Sequence, residues 1–219
     1  MLFVKDTYRH KGQRQQLVEQ LFQKGIRNER LLAAIEALPR HYFIEKAFEE
    51  WAYQDKPFPI GQEQTISQPY TVAYQTDLLA VKPRQKILEI GTGSGYQAAI
   101  LALLGARVYT IERQALLYGN ARALLKTLGM GNIRCYHKDG YKGLPEFAPF
   151  DGILVTAGAA EVPSALLQQL KIGGKLVIPV GTPQQKMYRI TRSGTDTFEE
   201  EVFANFRFVP FLKGTVGKS

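Results

Sequence analysis

From residue 86 onward, short apolar runs alternate with longer amphipathic ones. Residues 86–90, 107–112, 133–136, 150–156 and 175–179 are short and dominated by β-capable apolar side chains, so they predict strands. Helices fit between them. Ala98 to Leu104 is almost wholly apolar, 115–128 is amphipathic and closed by Gly129, and 163–170 opens on Pro163. Gly173-Gly174 is read as a turn into the strand at 175–179. Two further strands, 186–192 and 202–209, flank Ser193-Gly194. Regular strand–helix alternation through residue 179 predicts a doubly wound, mostly parallel α/β sheet. The tail predicts a closing antiparallel strand pair.

The first part of the chain is different. Gln13 to Lys24 has Leu17, Val18, Leu21 and Phe22 on one face and ends at Gly25. Asn28 is a good N-cap for a second helix carrying Leu31, Leu32, Ile35 and Leu38, closed by Pro39. A short third helix is expected from Ile44 to Trp51, with Trp51 and Tyr53 as core aromatics. Residues 55–61 form a proline- and glycine-containing loop. Ser67 reads as the N-cap of a helix running to Leu79, with Pro69 in its first turn. No linker is visible. We therefore expect residues 1–80 to be an N-terminal helical cap and substrate-side segment packed on the core, and 81–219 to be a single compact ligand-binding domain.

The strand at 86–90 runs straight into Gly91-Thr92-Gly93-Ser94-Gly95 and then a helix. Such a turn lets the backbone bend sharply, admits a ligand with no Cβ in the way, and turns helix N–H groups toward it. A dinucleotide fingerprint has two residues between its second and third glycines, whereas here there is only Ser94. This tighter turn resembles the first motif of S-adenosylmethionine-dependent methyltransferases. Glu112, at the end of the second strand, is placed to accept hydrogen bonds from two ribose hydroxyls. Asp139-Gly140, after the third strand, offers an acceptor for an adenine amino group. All three features fall at the carboxyl edge of the sheet, where open α/β sheets bind ligands.

Composition narrows the class. The 219 residues include 45% hydrophobic ones, enough for a sizeable core. No stretch reaches the roughly 18 apolar residues of a membrane helix. Met1 to Asp6 lack a signal-peptide core, so a cytoplasmic location is expected. The single cysteine, Cys135, lies in a strand and reads as core. The net charge of +8 is spread out, with no basic run interleaved with aromatics, which argues against nucleic acid as a partner.

Nearly the whole chain resembles the bacterial protein-L-isoaspartate O-methyltransferase family. The resemblance rests on Gln64-Thr-Ile-Ser-Gln-Pro-Tyr70, Leu88-Glu-Ile-Gly-Thr-Gly-Ser-Gly-Tyr-Gln97, Thr110-Ile-Glu-Arg113, Asp139-Gly140, Pro179-Val-Gly181 and Arg207-Phe-Val-Pro210. It implies a Rossmann-like class I methyltransferase fold and S-adenosyl-L-methionine as cofactor, leaving S-adenosyl-L-homocysteine. It implies Ser67 as the active-site serine. It places Gln64, Thr65, Ile66, Gly91, Gly93, Gly95, Glu112, Arg113, Asp139 and Gly140 around the cofactor, and implies no metal. The implied partners are isoaspartyl peptides and damaged proteins, methylated on the free carboxylate so that a succinimide can form; a monomer is expected. Two positions depart from the family pattern: Lys138 and Glu63 each stand where glycine is usual.

The chemistry suits the residues. A carboxylate is already ionised at neutral pH, so its methylation needs no general base. The three histidines, His10, His41 and His137, form no nucleophile-and-base pattern. A serine hydrolase would need a strand–nucleophile–helix elbow, and the turn after the first strand lacks one. Two alternatives stay open on sequence alone. One is a methyltransferase acting on nucleic acid or a small molecule, although 155–160 lack a proline-and-aromatic target motif. The other is a binding module without turnover.

Overall fold

The computed structural model describes residues 5–217; residues 1–4 and 218–219, at the two ends of the expected units, lie outside them. In chain order the elements are α1 (Tyr8–Gln23), α2 (Glu29–Ala37), 3-10 turns at Arg40–Phe43 and Lys46–Trp51, β1 (Phe58–Pro59), β2 (Thr65–Ile66) and α3 (Pro69–Leu79). There follow β3 (Lys86–Ile90), α4 (Tyr96–Leu103), β4 (Arg107–Glu112), α5 (Ala115–Thr127), β5 (Ile133–His137), β6 (Phe150–Val155), α6 (Ser164–Gln168), β7 (Leu170–Val180), β8 (Gln185–Arg192) and β9 (Phe198–Phe206).

Seven strands form one sheet in the order β5-β4-β3-β6-β7-β8-β9. β5 through β7 are mutually parallel, and β8 and β9 close the sheet antiparallel. The chain winds outward from β3 to β5 and then returns to lay β6 beside β3, so the topological switch lies between those two strands. Strand alternation divides the core. Ile87 packs on one face with Leu17, Leu21, Leu31 and Ile35 of the first two helices and Ala98 to Leu101 of α4. Leu88 and Ile90 pack on the other with Phe150, Ile153, Leu166 and Ile178. The α1–α2 segment is thus covered by the same core that supports the glycine turn.

Several boundaries differ from the sequence expectation. α1 begins earlier because Thr7 and His10 form a capping box ahead of the apolar stripe. The helix expected over 44–51 is a single 3-10 turn, Lys46–Trp51, and Trp51 is 44% exposed rather than core, while Tyr53 is buried. Ser67 is not the N-cap of α3. Gln68, pushed to φ −50 and ψ 136 by the following proline, takes that place without a side-chain cap. Gly173-Gly174 is no turn: β7 starts at Leu170 and passes through a register shift against β6 between Phe150 and Gly152. β9 runs over 198–206, not 202–209. Beyond it the chain leaves the sheet, and Val209 accepts instead from the Gly158 N–H at 2.8 Å.

Candidate active site

At the carboxyl ends of β3, β4 and β6, the edge at which open α/β sheets bind ligands, lies an open cleft. Three segments wall it: the β2–α3 connection, the glycine turn, and residues 209–212 of the tail.

The glycine turn is held from below. The N–H groups of Gly91 and Thr92 donate to the Ile111 carbonyl at 2.8 and 3.1 Å. Gly91, Gly93 and Gly95 all have positive φ, at 97, 52 and 90°. α4 starts after Gly95 with no side-chain cap. Its first N–H groups are suited to an anionic group such as a methionyl carboxylate.

Glu112 sits at the tip of β4 and is 5% exposed. Its Oε2 accepts from Gly93 N–H and its Oε1 from Gln114 N–H, both at 2.9 Å. Each carboxylate oxygen keeps a second lone pair, so the group is held rigidly and can still accept from two vicinal hydroxyls. Charge-assisted hydrogen bonds contribute about 1.5–3 kcal/mol each. Glu112→Gln is therefore expected to weaken binding of S-adenosyl-L-homocysteine about tenfold or more. Wild-type affinity in a calorimetric titration would make Glu112 only a turn-stabilising acid.

Of the remaining expected residues, Gln64, Thr65, Ile66, Ser67, Arg113 and Gly140 also line the cleft. Thr65 and Ile66 form β2, paired antiparallel with β1. The Ser67 hydroxyl has no hydrogen bond within the described residues, while its carbonyl accepts from Arg40 Nη2 at 2.8 Å. Gly140 sits where a Cβ would come within 2.5 Å of Ile90 Cγ2 and 3.0 Å of Phe211 Cε2, so its backbone forms the wall directly. Asp139 and Gly95 do not line the cleft: a Cβ on Gly95 would meet Leu125 of α5 at 3.2 Å, so its role is in the bend that starts α4. Asp139 Oδ1 accepts from Tyr141 N–H at 3.0 Å and caps its own turn.

The two departures from the family pattern resolve locally. Lys138 points outward and pairs with Glu146, whose carboxyl it holds below the usual range. Both are exposed, so the pair contributes little. Glu63 adopts φ 56, the left-handed conformation that glycine would take freely. The turn after β1 thus keeps its shape at a cost of about 1–2 kcal/mol.

The tail supplies residues that local patterns did not single out. Phe211 stacks on Tyr141 at 4.1 Å between centroids. Its N–H donates to the Gly158 carbonyl at 2.8 Å, and Val216 N–H donates to the Arg113 carbonyl at 2.8 Å. Arg113 Nε returns a bond to the Gly214 carbonyl at 3.2 Å. Thr156, just after β6, places its single hydroxyl donor between the Ile90 and Gly91 carbonyls, at 2.9 and 2.8 Å. None of the three histidines lines the cleft. Burial pushes the Cys135 thiol up to about 11, so it is no nucleophile at neutral pH.

Under the turn lies a buried acid. Glu89 Oε2 accepts from Thr110 Oγ1 at 2.5 Å, and Thr110 shares a 2.6 Å contact with Thr92 of the turn. Burial pushes the Glu89 carboxyl up to about 8; the Thr110 hydrogen bond opposes this and the Glu112 charge adds to it. The folded protein therefore holds this proton more tightly than the unfolded chain. The benefit is complete below about 4.5 and is lost as pH rises from about 4.5 to about 8. Glu89→Gln should gain stability relative to wild type across that window, by up to ~1.4 kcal/mol per pH unit. Urea unfolding of both at several pH values is the check, and a pH-independent difference would contradict the assignment.

A parallel sheet that reverses its winding between β3 and β6, with a glycine turn and a strand-tip acid in one cleft, defines a Rossmann-like methyltransferase of the S-adenosylmethionine-dependent class. The family model for protein-L-isoaspartate(D-aspartate) O-methyltransferase matches residues 12–216, and the chain belongs to that family. It is 56% identical over 210 residues to the protein-L-isoaspartate O-methyltransferase of Christiangramia forsetii, covering 96% of this chain and 99% of that one. It is 57% identical over 210 residues to that of Flavobacterium psychrophilum, with the same coverage. A solved protein-L-isoaspartate O-methyltransferase superposes with a TM-score of 0.82 at 28% identity, over 94% of this chain and 66% of that longer one. A structure from Plasmodium falciparum, described as a protein-L-isoaspartate O-methyltransferase in complex with S-adenosyl-L-homocysteine, gives 0.81 at 26% identity, over 94% of this chain and 99% of that one.

Proposed function

We propose that this chain transfers the methyl group of S-adenosyl-L-methionine to the free carboxylate of isoaspartyl, and D-aspartyl, residues in damaged proteins. The observation that carries this is the position of Ser67. Its unengaged hydroxyl lines the same cleft as the glycine turn and Glu112, where it can orient an acceptor oxygen.

The lining of the cleft fits the cofactor in chemistry. Glu112 would hold the ribose, the amino end of α4 and the turn N–H groups the methionyl part, and Gly140 would let the adenine lie against the backbone. Asp139 would stand behind that wall, and Gln64, Thr65, Ile66 and Arg113 would complete the enclosure. The cofactor supplies an activated methyl on a sulfonium. Ser67 donates a hydrogen bond to the acceptor carboxylate and holds one of its oxygens in line with that methyl. The apolar walls from Ile66, Val72 and Phe211 strip water from that oxygen. Because the acceptor arrives ionised, no residue has to remove a proton. Ser67 forms no covalent intermediate, having no base beside it.

A second groove begins where the cleft ends, sharing Thr65 and Val209 with it and lined further by Gln68, Tyr70, Phe206 and Phe208. Its aromatic and amide groups suit the extended backbone around an isoaspartyl residue. We place the reaction in the cytoplasm and on a monomer; among the described residues no helix is long and apolar enough to cross a membrane. Incubation with cofactor and an isoaspartyl peptide should give one methyl ester per peptide by mass spectrometry, which then decays to the succinimide. Cofactor binding with no ester on any acceptor would favour a binding module instead.

A further inference from the structure

Arg40 is 0% exposed and lies on the 3-10 turn after α2. Burial lowers its pKa to about 10, so it remains a cation at neutral pH. No carboxylate pairs with it directly among the described residues. Instead Nε donates to the Ala52 carbonyl at 3.0 Å and Nη2 to the Ser67 carbonyl at 2.8 Å. The guanidinium lies 4.8 Å from the ring centroid of Tyr96, the first residue of α4 and part of the cleft wall. A buried cation held by two carbonyls and Tyr96, with no carboxylate in direct contact, is an expensive way to fill a core. One planar fork, however, can tie the cap, the Ser67 segment and the helix after the glycine turn together.

The other end of the same corner is held by an anion. Asp55 Oδ1 accepts from Tyr70 N–H at 2.7 Å, in place of the missing N-cap side chain. Its Oδ2 accepts from Gln68 Nε2 at 3.1 Å and Lys24 Nζ at 2.5 Å. Residues 67–70 are thus gripped at a carbonyl by Arg40 and at an N–H by Asp55. Both grips act on the backbone and leave the Ser67 hydroxyl free.

We propose that Arg40 is a positioning residue for methyl transfer, and that with Asp55 it clamps the Ser67–Tyr70 corner so that the Ser67 hydroxyl keeps its place in the cleft. This rests on the role given to Ser67 above. It also explains an arginine rather than a lysine: the point-charge ammonium lacks the rigid fork whose Nε and Nη2 span the Ala52 and Ser67 carbonyls beside the Tyr96 ring.

The test is a double-mutant cycle. Arg40→Lys keeps the charge and loses the fork. Its kcat on an isoaspartyl peptide, per site titrated with S-adenosyl-L-homocysteine, should fall about tenfold with affinity for that product within about twofold. In a Ser67→Ala background the same change should cost less than about twofold, because no hydroxyl remains to be positioned. Asp55→Ala should behave likewise, and it serves if the lysine variant does not fold. Wild-type kcat in Arg40→Lys, or an equal loss in both backgrounds, would overturn the clamp. Failure of the serine reading is distinct: it shows as full activity in Ser67→Ala alone, and a loss on Arg40→Lys in that background would then overturn the clamp too.

Discussion

Replacing Ser67 with alanine is expected to lower turnover tenfold to a thousandfold while leaving cofactor affinity nearly unchanged. The residue sits between β2 and α3 and lines the cleft, while Gln68 takes the N-cap position of the helix. Its hydrogen bond would be made to an acceptor oxygen that must line up with the transferred methyl. A single orienting bond acting on the aligned transition state is worth about one to three powers of ten in rate. The loss should appear in kcat and kcat/KM together, with the Kd for S-adenosyl-L-homocysteine within a few-fold of wild type. Ser67→Cys should give no covalent adduct. Full activity in Ser67→Ala would remove the serine from the mechanism and leave the enzyme class standing.

Gly93→Val is expected to weaken cofactor binding by more than an order of magnitude, roughly 1.4 kcal/mol or more. Gly93 has φ 52, and an added Cβ would lie 3.3 Å from Ile60 Cδ1. A β-branched residue is strongly disfavoured in that backbone region. Relief requires the turn to move, and the Gly93 N–H is the group that donates to Glu112 Oε2. The substitution thus both fills the approach to the ligand and releases the acid that would hold the ribose. Calorimetry on the folded variant decides the matter, and unchanged affinity would take this turn out of the site.

The sheet, its parallel order and the ligand edge were legible in the sequence for one reason. The central strands β3, β4 and β6 are buried almost throughout, β5 at the sheet edge only partly, and the apolar runs from β3 to β7 are interrupted by glycine, proline or an acid at the end that meets the ligand. Glu112 could be found from its place after β4. Asp139 looked equivalent, at the end of β5 before a glycine, but a short acid beside its own turn bonds locally, and no spacing rule separates the two cases. Ser67 is not the cap that its place before the helix suggests, because the proline two residues on moves the helix start by one position. The cap region was least legible. Its 3-10 turns are fixed by tertiary bonds, Tyr53 to Arg14 and His41, and Arg40 to Ala52 and Ser67. None of these leaves a periodic trace. Arg40 itself is one basic residue among many until the fold buries it.

The central claim is the choice of acceptor. An isoaspartyl residue presents its free carboxylate one methylene closer to the main chain than an ordinary aspartyl side chain does, so two peptides differing only there share charge, composition and mass. The most direct measurement is transfer of radiolabelled methyl from S-adenosyl-L-methionine to such a pair at matched concentration. The account predicts base-labile label on the isoaspartyl peptide and none above background on its aspartyl twin. Equal labelling of the two, or labelling only of nucleic acid, would contradict it.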